Sequence, residues 1–385
     1  MKVIEILGIF PKISETFILR EILAMQNRGV DIEVIAFKRS YENIVHPEVG
    51  RVKKVTYFQK TTFSEKIYAH FYWFFKKPFT YIKTAVFAMN PNNGIRRLFL
   101  KNLYDVIIIN NRKPDHIHAH FPKSTGFAML VHLLTNISYT FTTHRFEIFV
   151  KPSKNFKIKS KLAKKHVTVT EYNRQHIIQN FGVDESDVTV VHSALDFTKN
   201  YPVADSEGKN TLVSIARLEK VKGLDILIHA CSIMKEDKIE FECLIAGDGS
   251  EKVNLERLIM ELDLSDKVKL LGYKTQEEVF NLLGRAKLLV LPSRSESLGN
   301  VFTEARACRV PVIGPKVLGV PEVITDGVDG FLVEPDNIEM LVNKIRILLN
   351  DESLRRRFIE KGYEKAFEQF NIDHESTKLL GIWKS

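Results

Sequence analysis

Two carboxylates, Glu296 and Glu304, stand eight residues apart around a short polar loop, Ser297-Leu298-Gly299-Asn300. An apolar run ending at Pro292 precedes them and reads as a buried strand; an amphipathic segment, Val301 to Cys308, follows. A helix beginning near Gly299 would aim free backbone N–H groups, and the positive end of its dipole, at the mouth of a sheet. That is a site for an anion, a diphosphate above all. Carboxylates beside an anion site need hydroxyls to serve, so the pair suggests a ligand with both phosphate and sugar. The plainer alternative is that both glutamates simply favour a helix N-terminus. Arg217 and Lys222 lie in a basic loop after the strand-like run Thr211–Ala216. Cations there could balance a diphosphate, or could be ordinary surface charge.

Three histidines form a second group. In the segment 114–121, His118 and His120 share one face of an extended chain, with His120 near its end. His144 falls just beyond the β-branched and aromatic run Tyr139–Thr143. Two histidines two apart hint at metal, but no third ligand is evident, so no metal is expected; a histidine at a strand end is commonly structural. The turn Gly247-Asp248-Gly249 has Lys252 where a dinucleotide fingerprint needs glycine. No phosphate-binding GxxxxGK[ST], no GxSxG and no D-x-D pair is present. A sugar nucleotide would then be held by side-chain cations, not by a carboxylate-bound metal.

Positioning these residues takes alternating strands and helices. Val3–Phe10, a helix from Thr16 to Arg28, and Val30–Phe37 make a βαβ unit. Val106–Asn110, His116–Ala119, Tyr139–Thr143, His166–Thr170 and Val188–His192 are the further expected strands of the first half. Ligands are expected at the carboxyl edge, with the loop Pro11–Thr16, His120 and His144. The polar stretch 205–210 reads as a linker. After it the alternation repeats: strands at Thr211–Ala216, Phe241–Ala246, Val268–Leu271 and Leu288–Leu291, helices between. The 385 residues thus divide into domains at 1–204 and 205–370, with 371–385 a helix returning to the first.

Net charge is +9, and it is uneven. Residues 1–200 hold 30 Lys and Arg against 16 Asp and Glu; residues 51–100 alone hold 10 against 1. An anionic surface or substrate is the implied partner. Residues 63–100 mix aromatic side chains with Lys76, Lys77, Lys83, Arg96 and Arg97, and Pro78 and Pro91 divide them into short helices. Such helices can lie in a membrane interface or face a core; no nucleic-acid motif accompanies the charge, so nucleic acid is not an expected partner. The run 151–165 reads as a solvated basic face. The dispersed Cys231, Cys243 and Cys308 argue against a disulfide framework and fit a reducing compartment. No signal peptide or membrane span is expected, which places the chain in the cytoplasm.

At this point the motifs match a known pattern. The chain resembles glycosyltransferase family 4, most closely over residues 211–336. The matching features are Arg217…Lys222-Gly223, Gly247-Asp248-Gly249, the segment 271–279, the pair Glu296 and Glu304, and Gly319-x-x-Glu322…Gly327-x-x-Gly330…Pro335-Asp336. The first half matches through 118–121, Thr142-x-His144 and Leu195-Asp196. Ser14-Glu-Thr-Phe-Ile18 looks like a subgroup that builds exopolysaccharide of the colanic-acid type. The resemblance implies a GT-B fold, two facing Rossmann-like α/β domains with a deep interdomain cleft. It implies a retaining, metal-independent transferase without a cofactor, taking a UDP- or GDP-sugar as co-substrate to a glycan or lipid-linked acceptor. The basic first half, separately, suggests peripheral contact at the inner membrane face. Arg217 and Lys222 would hold the diphosphate, helped by backbone amides from Leu298 to Val301. Glu304 would hold the ribose, Glu296 the transferred sugar, and His144 would sit at the sugar, with His120 and Ser14 beside it. The loop His144-Arg145-Phe146-Glu147 departs from the family's usual H-G-x-D, and Glu296-Ser297 from its E-G. A GT-B sugar-nucleotide epimerase and a non-catalytic scaffold are the alternatives.

Overall fold

A computed structural model describes residues 1–12, 15–41, 46–153, 155–204 and 209–385. Ser14 and most of the expected linker, 205–208, lie outside the described residues. The chain divides into two compact units: Met1–His192 with Glu375–Ser385, and Ser193–His374.

In the first unit, β1 (Lys2–Phe10), β2 (Asp31–Arg39), β3 (Val55–Tyr57), β4 (His116–His120), β5 (Ser138–Thr143), β6 (Lys165–Thr168) and β7 (Val188–Val190) form a parallel sheet. Its order is β3-β2-β1-β4-β5-β6-β7. Around it lie α1 (Thr16–Asn27), α2 (Phe63–Lys76), α3 (Pro78–Met89), α4 (Arg96–Lys101), α5 (Leu103–Asn111), α6 (Pro122–Thr135), α7 (Phe156–Leu162) and α8 (Glu171–Phe181). Val3, Ile4, Ile6 and Leu7 of β1 are all buried, as expected of a strand covered on both faces.

Two expectations fail here. Residues 106–110 are not a strand but part of α5. Val106, Ile107 and Ile109 are buried, and a helix enclosed on most sides shows no polar face to betray its period. Nor is 151–165 wholly solvated, because Lys159 on α7 is only 5% exposed. By contrast, α2 and α3 bury two residues each, Ala69 with Trp73 and Thr84 with Ala88, and leave much of their aromatic surface open.

The second unit repeats the plan. β8 (Thr211–Ile215), β9 (Glu242–Ala246), β10 (Val268–Leu270), β11 (Leu288–Val290), β12 (Val312–Pro315) and β13 (Phe331–Val333) are parallel, in the order β10-β9-β8-β11-β12-β13. Its helices are α9 (Leu224–Glu236), α10 (Lys252–Glu261), α11 (Gln276–Leu283), α12 (Asn300–Ala307), α13 (Val320–Val323), α14 (Ile338–Asn350) and α15 (Glu352–Gln369). The last helix, α16 (Ile372–Lys384), carries the chain back to the first unit. There Trp383 Nε1 donates to Thr140 Oγ1 at 3.1 Å, and the backbone N–H of His192 donates to Glu375 at 2.7 Å.

Helix α12 is buried along nearly its whole length and not amphipathic toward solvent. Arg306 anchors it, donating to the Asp329 carboxylate at 2.5 Å and to the Val323 carbonyl, all buried. Removing one partner of such a pair strands the other charge, at about 3–5 kcal/mol. Lys365 Nζ stands 3.7 Å from Asp329 and keeps part of the neutralisation, so the lower end applies. Arg306→Met is expected to cost about 3 kcal/mol in urea unfolding of the second unit; a loss below about 0.5 kcal/mol would show that the pair does not anchor the helix.

Candidate active site

In the second unit the site lies where the strand order reverses, between β8 and β11. After β8 the chain makes a short turn, Lys220–Lys222, closed by Gly223 at φ +63°. A Cβ at Gly223 would come 2.1 Å from the Pro292 carbonyl oxygen, so only glycine lets this turn press against the end of β11. Lys222 Nζ is thereby brought to Glu296, donating to Oε2 at 2.5 Å, with the two side chains 16% and 13% exposed. Arg294, which sequence reasoning passed over, ties the turn down. Its guanidinium grips Asp225 through two hydrogen bonds of 2.9 and 2.7 Å, donates to Asp336 at 2.7 Å, and reaches the Lys220 carbonyl at 2.6 Å. Its signal was there to read, an arginine two residues before the first carboxylate.

Helix α12 starts at Gly299, in the left-handed region at φ +76°, with no side-chain cap. The backbone amides of Asn300 and Val301 are therefore available for an anion. Ser297, Leu298 and Val301 are buried, so their contribution to a ligand comes through the main chain. Glu304, one turn on, is also buried and accepts from Gln276 Nε2 at 3.3 Å. Arg217 stands apart from this contact, 62% exposed and paired with Glu219 at 2.5 Å.

In the first unit the histidines gather at the corresponding reversal, between β1 and β4. His120 Nε2 donates to Glu21 Oε1 of α1 at 3.3 Å and lies 3.2 Å from Glu5 Oε1 of β1. Burial opposes a charge on His120, but the carboxylates of Glu21 and Glu5 outweigh it and raise its pKa to about 10. Burial in turn pushes Glu5 up to about 7, against the pull of His120. A doubly protonated His120 donates from Nδ1 to His144 Nε2, 3.2 Å away, with the rings stacked at 5.5 Å. His144 is held well below the usual histidine range, first by burial and then by the positive His120. It is therefore neutral, with its proton on Nδ1. Phe17 and Phe121 flank its ring at 4.8 and 5.1 Å. Phe121 itself sits at φ +69°, strained for a bulky residue, where the chain turns from β4 into α6.

The third metal ligand that the sequence reading lacked is Glu21. Ligand atoms of Glu21, His118 and His120 lie within 4.8 Å of one another. His118 already meets the Thr140 and Thr142 hydroxyls at 2.7 and 3.1 Å, and His120 meets His144. The same atoms are thus joined in a hydrogen-bonded network running from Glu21 through His120 to His144. Neither Glu5 nor Glu21 carried a motif; each meets the histidines only through strand order and helix packing.

Residues 14–199 match the family model described as Glycosyltransferase Family 4, and 197–365 match Glycosyl transferases group 1. An uncharacterised glycosyltransferase of Methanocaldococcus jannaschii is 31% identical over 276 residues, 69% of this chain and 75% of that one. A Campylobacter jejuni N-acetylgalactosamine-N,N'-diacetylbacillosaminyl-diphospho-undecaprenol 4-alpha-N-acetylgalactosaminyltransferase is 28% identical over 214 residues, 54% of this chain and 57% of that one. With several further relatives the matched region spans about half of their length or less. In structure, Anabaena HepE in complex with UDP superposes with a TM-score of 0.77 at 17% identity, covering 100% of both chains.

A histidine whose pKa folding has raised stabilises the native state fully below its unfolded value near 6.5. That contribution is lost as pH rises through about 10. His120→Gln is therefore expected to lower the unfolding midpoint by several degrees at pH 6, with the gap narrowing toward pH 10. A gap that stays constant over this range in paired thermal scans would mean that His120 is uncharged in the fold.

Proposed function

The chain belongs to glycosyltransferase family 4, and from that premise we propose that it transfers a sugar from a nucleoside-diphosphate sugar, with UDP or GDP as carrier, to a glycan or lipid-linked saccharide, retaining the anomeric configuration. The step would serve polysaccharide or cell-envelope synthesis. The observation that carries the reading is the Lys222–Glu296 pair beside the uncapped start of α12.

In this reading a diphosphate takes Lys222 and the amides of Asn300 and Val301. Glu296 is then released to accept hydrogen bonds from the sugar hydroxyls, while Glu304 takes the ribose. Arg217, exposed and tied only to Glu219, can swing to the same phosphates. As the bond from the anomeric carbon to the phosphate oxygen opens, negative charge grows on the departing diphosphate. The acceptor hydroxyl bonds to the anomeric carbon from the same side, and its proton passes to that phosphate oxygen. Fixed positive groups at the leaving oxygen lower the barrier, and losing one costs about 2.7–4 kcal/mol, or 10²–10³ in kcat. His144 of the first unit, neutral and with its ring open to hydrogen bonding, is suited to meet a sugar hydroxyl.

The α2–α3 surface supports peripheral contact with an anionic membrane at the cytoplasmic face. Phe75 and Phe79 are 74% and 82% exposed, with Phe63, Phe71 and Val86 also open and Lys76, Lys77 and Lys83 interleaved. Aromatic side chains can enter the headgroup region while the lysines meet lipid phosphates. No described helix is long and apolar enough to cross a membrane.

Thermal unfolding with UDP, GDP, ADP and their sugar conjugates tests the donor. Ligand at 100 times its Kd adds about 2.7 kcal/mol to the native state. One nucleoside diphosphate should raise the wild-type midpoint, and Lys222→Ala should abolish the rise. No rise with any of them at millimolar concentration removes the nucleotide-sugar reading. For the membrane surface, Phe75→Asp with Phe79→Asp should abolish sedimentation with vesicles containing phosphatidylglycerol without changing the response to nucleotide. Equal sedimentation of wild type and variant would remove the α2–α3 contact.

A further inference from the structure

The first unit contains an open cavity of about 960 Å³ that the donor chemistry does not use. Six cations line it: Lys60, Lys66, Arg97, Lys101, Lys123 and Lys159. Among the described residues none of the six has a carboxylate at ion-pair distance. Elsewhere basic side chains do find carboxylates, Lys54 at Asp31, Lys222 at Glu296 and Arg294 at Asp225. Lys123 is held below the usual ammonium range first by burial and then by the charges of Lys38, outside the cavity, and Arg97, against the pull of Asp105. The decisive residue is Lys159. It is 5% exposed, and its ammonium donates to neutral acceptors, Ser153 Oγ at 3.2 Å and the Pro122 carbonyl at 3.5 Å, with no carboxylate at ion-pair distance among the described residues. Burial lowers its pKa to about 8, and the buried Glu147 only partly opposes this. Burial of an ammonium with no carboxylate in contact is unfavourable, and a ligand anion in the cavity would supply a charge at contact distance.

Two further features narrow the ligand. Asp105 lines the same cavity, buried, with Oδ2 taken by Asn102 at 2.6 Å and Oδ1 unsatisfied. A lone acceptor among cations suits a hydroxyl. Lys66 belongs to α2, so the rim of the cavity is continuous with the helix that exposes Ile67, Phe71 and Phe75. We propose that this cavity binds the phosphate or diphosphate of a phosphorylated saccharide acceptor, with Asp105 receiving one of its hydroxyls. The proposal deepens the transferase reading by naming the acceptor class. The same head chemistry could come from a polyprenyl-linked saccharide, its chain lying along α2, or from a free sugar phosphate.

Inorganic pyrophosphate is the first probe, titrated calorimetrically into wild type, Lys222→Ala, and the double variant Lys101→Gln with Lys123→Gln. Both substituted side chains of the double variant are surface-accessible, so folding is not at risk, and Lys159→Met serves as the buried counterpart. The double variant should lose one binding event or weaken it about tenfold or more, and keep its thermal response to nucleoside diphosphate. Lys222→Ala should do the reverse. Raising salt from 0.05 to about 0.5 M should weaken the cavity event. If pyrophosphate binds only where Lys222 is intact, or binds the double variant as well as wild type, the cavity is not a phosphate site. Failure of the nucleotide response alone would sink the donor reading and leave this one standing. Repeating the titration with glucose 1-phosphate and with a polyprenyl diphosphate in detergent micelles assigns the source: preference for the lipid form places the chain on α2, and equal binding assigns a soluble head group.

Discussion

Both sheets are parallel, and each reverses its strand order beside its own first strand, at β1–β4 and at β8–β11. That reversal is the constraint on which the site depends. Right-handed crossovers send the helices on either side of it to opposite faces. Nothing then covers the carboxyl ends of the two central strands, and a crevice is left there. In the second unit the crevice receives the Lys220–Lys222 turn from one strand and the Glu296 loop from the other. In the first it receives His120 from β4, with Glu5 on β1 and Glu21 on α1 behind it. Residues far apart in the chain meet because the sheet order brings their strands together.

The three charged centres differ in how they are balanced without ligand. Lys222 and Glu296 neutralise each other in direct contact, both mostly buried in the crevice. His120 is balanced by two carboxylates from within, which fixes its proton and the tautomer of His144 whatever is bound. The six cations around Lys159 have no carboxylate at ion-pair distance among the described residues, and Asp105 and Glu147 offset them only from further away. Compensation in direct contact serves geometry, while incomplete compensation favours an added anion.

Much of this was legible in the sequence. Long buried strands and periodic helices announce themselves, so β1, β4, β5, β8 and the strand–loop–helix at Glu296 lie within a residue or two of expectation. Where a helix is enclosed on most sides, as at Val106–Ile109, a β-branched run has no polar period to separate it from a strand. The short β3 is only partly buried along its three residues and so shows no apolar run to announce it. Glu296 and Lys222 stood out because their chemistry sits in a loop beyond a strand end, and Glu304 by its spacing from Glu296 in the following helix. Glu5 and Glu21 did not, being a mid-strand and a mid-helix carboxylate whose partners lie about a hundred residues away. Lys159 hid inside a run of lysines, since burial is a property of the fold and not of composition.

The tryptophan near the end of α16 has a consequence for the order of events in the cell. Thr140 Oγ1 meets His116, His118 and Trp383, so the central strands of the first sheet are finished by a side chain from the last few residues. The second unit is contiguous in the chain and can close as soon as it leaves the ribosome. The first unit, although synthesised earlier, waits with its β4–β5 surface uncovered until residues 375–385 arrive. The half that is made first is thus completed last.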